Sequence, residues 1–89
     1  MAWTYKVEPK AAQELVDLGP AAQMEITAWL EKRIHGAVDP EQFGKPLRGE
    51  LKGLWRYRVR DYRLLCRLEK KILIVVVVAV GHRSTVYGD

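Results

Sequence analysis

Hydrophobic and polar residues alternate at the start of the chain and again in its second half. Residues 3–7 read Trp-Thr-Tyr-Lys-Val, which places three apolar side chains on one face of a strand. Residues 54–60 and 62–69 alternate in a similar way. The apolar, β-branched run at residues 72–80 is typical of a strand that is internal to a sheet and buried on both faces. The pattern therefore predicts four strands.

Between the first two predicted strands, apolar residues recur at the intervals of three and four that are typical of helices. Gly19 and Pro20 separate two helices, the second of which reaches about residue 36. Residues 37–53 are rich in Gly, Pro and charge, which predicts a connector. The helix positions expected to face the sheet are Ala11 or Ala12, Leu15, Leu18, Ala22, Ile26, Trp29, Leu30 and Ile34.

Very short turns near residues 60–61 and 70–71 join the last three predicted strands, so we expect antiparallel hairpins. The order β-α-α-β-β-β predicts an α+β fold, in which a helical hairpin packs on one face of a mainly antiparallel four-stranded sheet. A length of 89 residues predicts a single domain, residues 1–89. Because a membrane helix needs about 20 apolar residues, we expect no membrane association.

The hairpin at residues 54–67 holds five of the eight arginines in the chain. A two-residue turn sets its register, so that the side chains expected to face the helices are Trp55, Tyr57, Val59, Tyr62, Leu64 and Cys66. The opposite face gathers Arg56, Arg58, Arg63 and Arg67. Directly opposed like charges, here Arg58 and Arg63, destabilise a sheet unless an anion lies between them. This face is either a solvated outer surface or a surface that binds phosphate, whose oxygens match the guanidinium fork.

The charge is unevenly distributed. Residues 1–44 carry four Lys or Arg against seven Asp or Glu, a net −3, whereas residues 45–89 carry eleven against four, a net +7. This asymmetry indicates either a polyanionic or acidic partner, or ordinary solubilising charge. The single cysteine, Cys66, excludes a disulfide framework and indicates a reducing, cytoplasmic location. Since the sequence has no metal-ligand cluster and no Gly-rich phosphate loop, we expect neither metal nor cofactor.

The segment KPLRGELKGLWRYRVRDYRLLCRL, the apolar strand after it and the terminal VGHRSTVY resemble the RelE/ParE toxin superfamily, on its RelE side. The resemblance implies the toxin of a type II toxin–antitoxin system, with a RelB-like antitoxin and operator DNA bound only through the antitoxin complex. It also implies a metal-independent endoribonuclease that enters the A site of the 30S ribosomal subunit. There the mRNA 2′-hydroxyl attacks the adjacent phosphate, and translation is inhibited.

The resemblance also implies a set of site residues. The residues expected to contact RNA are Lys52, Arg60 and Arg67, and His82 is a catalytic candidate because of its own chemistry. The active-site positions of the family correspond to Arg56, Arg58, Arg63, Arg83 and Tyr87. Family members often carry lysine at the first two of these positions, and arginine cannot serve as a base. We therefore expect the hairpin arginines to stabilise charge and His82 to be the candidate acid or base. Two alternatives are a ParE-like inhibitor of DNA gyrase without RNase activity and a catalytically degenerate toxin homologue.

Overall fold

The computed structural model describes residues 2–83. Two helices, α1 (Pro9–Asp17) and α2 (Pro20–Trp29), pack on one face of a five-stranded sheet, and a π-type turn at Leu30–Ile34 continues α2. Short 3-10 turns lie at Pro40–Phe43 and Gly49–Leu51. The strands are β1 (Thr4–Val7), β2 (Gly44–Pro46), β3 (Trp55–Val59), β4 (Tyr62–Glu69) and β5 (Ile74–His82).

The strand order is β1-β5-β4-β3-β2, with β1 parallel to β5 and the other neighbours antiparallel. The predicted α+β fold and the internal position of the apolar strand are confirmed. Two details of the prediction were wrong, because the sheet has five strands and the apolar strand begins at Ile74. The turn before it takes four residues, ending at Leu73 with a φ of 56°.

The core lies between the helices and the sheet, where the predicted helix positions meet the inward side chains of the strands. Ala11, rather than Ala12, is the buried alanine of α1. The end of the second helical segment is tied to the N-terminal segment, since the Gly36 N–H donates to the Trp3 carbonyl at 2.8 Å and the Trp3 N–H donates to the Ala37 carbonyl at 2.9 Å. The remaining helix positions that are buried or packed on the core are Leu15, Leu18, Ala22, Ile26, Trp29, Leu30 and Ile34.

The fifth strand, β2, lies within the segment that the sequence predicted as a connector. Its residue pairs with β3 are Gly44 with Tyr57, Lys45 with Arg56, and Pro46 with Trp55. Proline suits an edge strand, where a missing N–H breaks no ladder hydrogen bond. The strand therefore forms at the sheet edge next to β3 and brings Lys45 alongside the arginine hairpin.

An irregularity interrupts the pairing of β4 with β5 between Leu65 and Cys66. Leu65 pairs with Ala79 and Cys66 with Val77, so that one residue of β5 is extra, as in a β-bulge. The Val80 N–H donates to Glu14 Oε1 of α1 at 2.9 Å, so the α1 carboxylate satisfies a backbone donor beside the bulge. As a result, side chains three positions apart on β5 both face the core.

Candidate functional site

The β3–β4 hairpin has the register that the sequence predicted. Arg58 is the direct cross-strand partner of Arg63, and Arg56 is that of Leu65. Arg60, in the connecting turn, has a φ of 53°, the backbone conformation that tight hairpin turns require. The six side chains predicted to face the helices all contact or belong to the core: Trp55, Tyr57, Val59, Tyr62, Leu64 and Cys66. Because side chains alternate along a strand, Arg56, Arg58 and Arg63 share the opposite face.

The three arginines differ in their exposure to solvent. Arg58 is exposed, whereas Arg56 and Arg63 are each only 6% exposed. Arg63 Nη1 lies 3.3 Å from the carbonyl oxygens of Arg60 and Tyr62, to which it donates. Buried guanidinium groups attract an anion more strongly than exposed ones, since less water screens them. The surface thus combines an exposed arginine with two buried ones, of which Arg63 is oriented by two backbone carbonyls.

A pocket of about 240 Å³ opens on this face at the edge of the sheet. It is lined by Gln42, Phe43, Gly44, Lys45, Arg56 and Arg58. Lys45 shares the arginine face because it is the cross-strand partner of Arg56. We did not predict Lys45 as a site residue; the one sequence signal was its position before Pro46, which favours an extended backbone. The site therefore contains a lysine as well as the predicted arginines.

The segment that carries Lys45 is held firmly against β3. The Tyr57 hydroxyl donates to the Pro40 carbonyl at 2.8 Å, and the Tyr57 ring lies 5.4 Å from that of Trp29. A Cβ on Gly44 would lie 2.8 Å from Tyr57 Cε1, so only glycine fits here without a shift of its neighbours. Burial raises the pKa of the Tyr57 phenol well above its ordinary range, which fits a structural hydroxyl and not an acid or base.

The residues predicted to contact RNA do not lie together. Lys52 is exposed in the turn before β3, and Arg60 lies 3.8 Å from Glu25 on the helical side. Arg67 shares the arginine face but is paired with Glu69 and, at 3.5 Å, with Glu8. Arg67 therefore already has two acidic partners within the chain. The structure brings together Arg56, Arg58 and Arg63. Lys52, Arg60 and Arg67 lie at the periphery of that group.

The predicted site residues at the end of β5 and after it do not lie together. The Arg83 N–H donates to the Asp61 carbonyl at 2.7 Å, which places Arg83 beside the hairpin turn. His82 is the cross-strand partner of Tyr62, and their rings meet edge to face at 6.0 Å. Because Tyr62 contacts the core, His82 lies on the helical side of the sheet and is not brought together with the arginine face. Tyr87 lies outside the described residues.

Other groups that could carry chemistry are constrained by burial or spacing. Burial raises the pKa of the Cys66 thiol far above its ordinary value, so this cysteine is an inert core residue, as predicted. Within residues 2–83, His, Cys, Asp and Glu side chains form no group of three that could hold a metal ion. No helix in the same range is both long and apolar enough to cross a bilayer.

A family model described as the ParE toxin of the type II toxin–antitoxin system parDE matches residues 5–87. The chain belongs to the ParE toxin family. Toxin RelG of Mycobacterium tuberculosis is 43% identical to this ParE-family chain over 49 residues. The match covers 55% of this chain and 56% of RelG, so it spans little more than half of that relative.

Chains of solved RelE–RelB-type complexes are similar in structure to this ParE-family chain. A chain of the RelBE2 toxin–antitoxin complex from Mycobacterium tuberculosis is 30% identical, with a TM-score of 0.83 over 93% of each chain. A chain of the archaeal RelE–RelB complex from Pyrococcus horikoshii has a TM-score of 0.68 at 20% identity, over 97% of this chain and 100% of that one. The latter likeness shows the fold alone. Membership of the RelE/ParE superfamily is thus confirmed.

Proposed function

We propose that this chain is the toxin of a type II toxin–antitoxin pair and that it cleaves mRNA in the ribosomal A site. The observation that carries the proposal is the shared face of Arg56, Arg58 and Arg63, next to a pocket at the sheet edge. A cleft lined by guanidinium groups suits the phosphate backbone of a single RNA strand. The similarity to a chain of a RelBE complex over nearly its whole length supports the same function.

In this reaction the 2′-hydroxyl of one nucleotide attacks the adjacent phosphate, and the 5′-oxygen of the next nucleotide leaves. Negative charge accumulates on the phosphoryl oxygens in the transition state. Arg58 is exposed and can reach the phosphate, and the buried Arg63 lies directly across from it. A hydrogen-bond donor aimed at this developing charge is worth a rate factor of about 10²–10³. Arg83 and Tyr87 stay predictions for the same site.

The proposed partners are those that the resemblance to the RelE/ParE toxins implies. We propose that a RelB-like antitoxin covers the arginine face with acidic side chains, which would compete directly with RNA phosphate. Operator DNA would be bound only through the complex with this antitoxin. The proposed substrate is mRNA on the ribosome, which implies action in the cytoplasm.

The test uses the purified chain, ribosomes carrying a defined mRNA, and primer extension to map new 5′ ends. We expect cuts in phase with codons that require ribosomes and that slow by about 10²–10³-fold in Arg58→Ala. Lys32→Ala is the control, because Lys32 is an exposed cation in the helical segment Leu30–Ile34 and does not line the pocket. Equal cleavage by Arg58→Ala and wild type would show that the arginine face is not the site.

A second candidate function is inhibition of DNA gyrase without RNA cleavage. The observation that favours it is the family match itself, since the model that covers residues 5–87 is that of a ParE toxin. The two functions are separated by running a gyrase supercoiling assay beside the cleavage assay. Intact mRNA together with inhibited supercoiling would replace the first proposal by the second, and inactivity in both assays would indicate a degenerate homologue.

A further inference from the structure

We propose that Lys45 is the general acid of this site, donating a proton from Nζ to the leaving 5′-oxygen. The inference rests on the proposed RNA cleavage and assigns a catalytic role to a residue of the edge strand β2. It accounts for the proton transfer that the hairpin arginines cannot perform, because a guanidinium group in a protein essentially never loses its proton.

Lys45 lies next to the arginines that line the pocket. It is the direct cross-strand partner of Arg56, and both residues line the pocket together with Arg58. Side chains of directly opposed residues have their Cβ atoms about 4.5–5.5 Å apart. The four-carbon stem of an exposed lysine therefore lets the ammonium reach a phosphate that is held by Arg56 and Arg58.

The side chains that line the pocket differ in whether they can transfer a proton. Among the described residues that line the pocket, Lys45 alone has a cationic side chain that can be deprotonated in a protein, since the others are Gln, Phe, Gly and Arg. His82, which the sequence suggested for this role, lies on the helical side with Tyr62. A phosphate on the arginine face is thus next to Lys45, with the sheet between it and the imidazole.

The backbone that carries Lys45 is held in place by neighbouring residues. Gly44 packs directly on the Tyr57 ring, and the Tyr57 hydroxyl donates a hydrogen bond to the Pro40 carbonyl. The turn that begins at Pro40 is itself capped by Asp39, whose side chain accepts from the Glu41 N–H at 3.1 Å. The backbone that leads into Lys45 is therefore fixed by contacts that do not involve RNA. A catalytic group gains from such support because its position is set before substrate binds.

The 2′-oxygen forms a bond to phosphorus while its proton passes to water. The bond from phosphorus to the 5′-oxygen breaks, and its electron pair stays on that oxygen. Lys45 Nζ gives a proton to the same oxygen, which leaves as a 5′-hydroxyl, and the upstream fragment ends in a 2′,3′-cyclic phosphate. The neutral amine then regains a proton from water.

The test compares wild type with Lys45→Arg, which keeps the positive charge but cannot release a proton. Single-turnover cleavage on ribosomes is measured with ordinary mRNA and with mRNA that carries sulfur in place of the scissile 5′-oxygen. A thiolate leaves readily without a proton, so the modified mRNA does not need an acid. Lys32→Arg, at an exposed position on the helical side, is the matched control, and sedimentation with ribosomes checks binding.

We expect Lys45→Arg to cleave ordinary mRNA about 10²–10⁴-fold more slowly than wild type, to cleave the sulfur-containing mRNA at the wild-type rate, and to bind ribosomes normally. An unchanged rate on ordinary mRNA overturns the inference. Equal slowing on both substrates also overturns it, because the lysine would then act through charge or position. In either case cleavage by wild type leaves the proposed function standing, whereas a wild type that cuts neither mRNA removes both.

Discussion

The close contact between Gly44 and Tyr57 makes Gly44→Ala an informative substitution. An alanine Cβ would lie 2.8 Å from Tyr57 Cε1 and 2.9 Å from the Arg56 carbonyl oxygen. Neither neighbour moves easily, because the Tyr57 hydroxyl donates a hydrogen bond to the Pro40 carbonyl and the Arg56 carbonyl is part of the sheet backbone. Gly44 has a φ of −137° and a ψ of −175°, an extended conformation open to any residue. The substitution therefore tests crowding and not backbone strain.

Two effects of opposite sign contribute to the result. Replacing glycine by alanine at a compatible backbone position stabilises a protein by about 0.4–1 kcal/mol, because the unfolded chain loses entropy. Forcing an extra carbon into a packed region costs about 1–3 kcal/mol. Because crowding outweighs the gain in entropy, we expect Gly44→Ala to lower the free energy of unfolding by about 1–2 kcal/mol. For a domain of this size each kcal/mol corresponds to about 4–8 °C in Tm.

The assay is urea and thermal unfolding of the purified chain, with Lys45→Ala as the control. The control shortens an exposed side chain in the same strand and should change stability by no more than about 0.5 kcal/mol. A Gly44→Ala variant as stable as wild type, or more stable, would refute the reasoning. That result would mean that β2 moves away from Tyr57 at little cost, and that the position of Lys45 is set by other contacts.

Three further predictions concern groups outside the pocket. Because burial raises the pKa of the Cys66 thiol, a thiol reagent in mildly alkaline buffer should modify Cys66 in urea but not in the folded chain; rapid labelling of the folded chain would contradict its burial. Burial and a hydrogen bond to Glu31 raise the pKa of Tyr5 from 10.0 to about 12, so its contribution to stability is complete below pH 10 and is lost as the pH rises towards 12. Glu31→Gln should shift the ultraviolet titration of that tyrosine to lower pH, and an unchanged curve would count against the contact. Glu14→Ala should cost about 1 kcal/mol and speed amide exchange at Val80, since its N–H loses an acceptor; Glu14→Gln retains an oxygen and should recover part of the loss.

The hairpin was predictable because several independent constraints agree on its register. A two-residue turn at Arg60 and Asp61 allows few pairings, and a slip by one residue would expose Trp55, Tyr57 and Tyr62. The helices were equally predictable, since their apolar stripes and the Gly-Pro boundary between them are local signals. The shared face of the hairpin arginines follows from register alone.

Strand β2 was not predictable from local signals. Gly44, Lys45 and Pro46 show no hydrophobic alternation, and glycine and proline are both disfavoured in strands. The strand exists because the Tyr57 ring and hydroxyl hold its backbone from the neighbouring strand, a contact between residues 13 or more positions apart in the sequence. For this reason the sequence located the arginines of the site but not its lysine.

The bulge in β5 decides on which face His82 lies. Val76 lies on the arginine face. If β4 and β5 paired without the bulge, every second residue after Val76, including His82, would lie on that face too. The observed shift instead pairs Leu64 with Val80 and Tyr62 with His82, so the histidine side chain moves to the helical side. The Glu14 carboxylate, which accepts from the Val80 N–H, stabilises this arrangement from α1. Glu14, although far from the pocket, thus helps to keep His82 off the arginine face. The proton donor proposed for that face comes instead from β2, which pairs with the other side of the hairpin and carries Lys45.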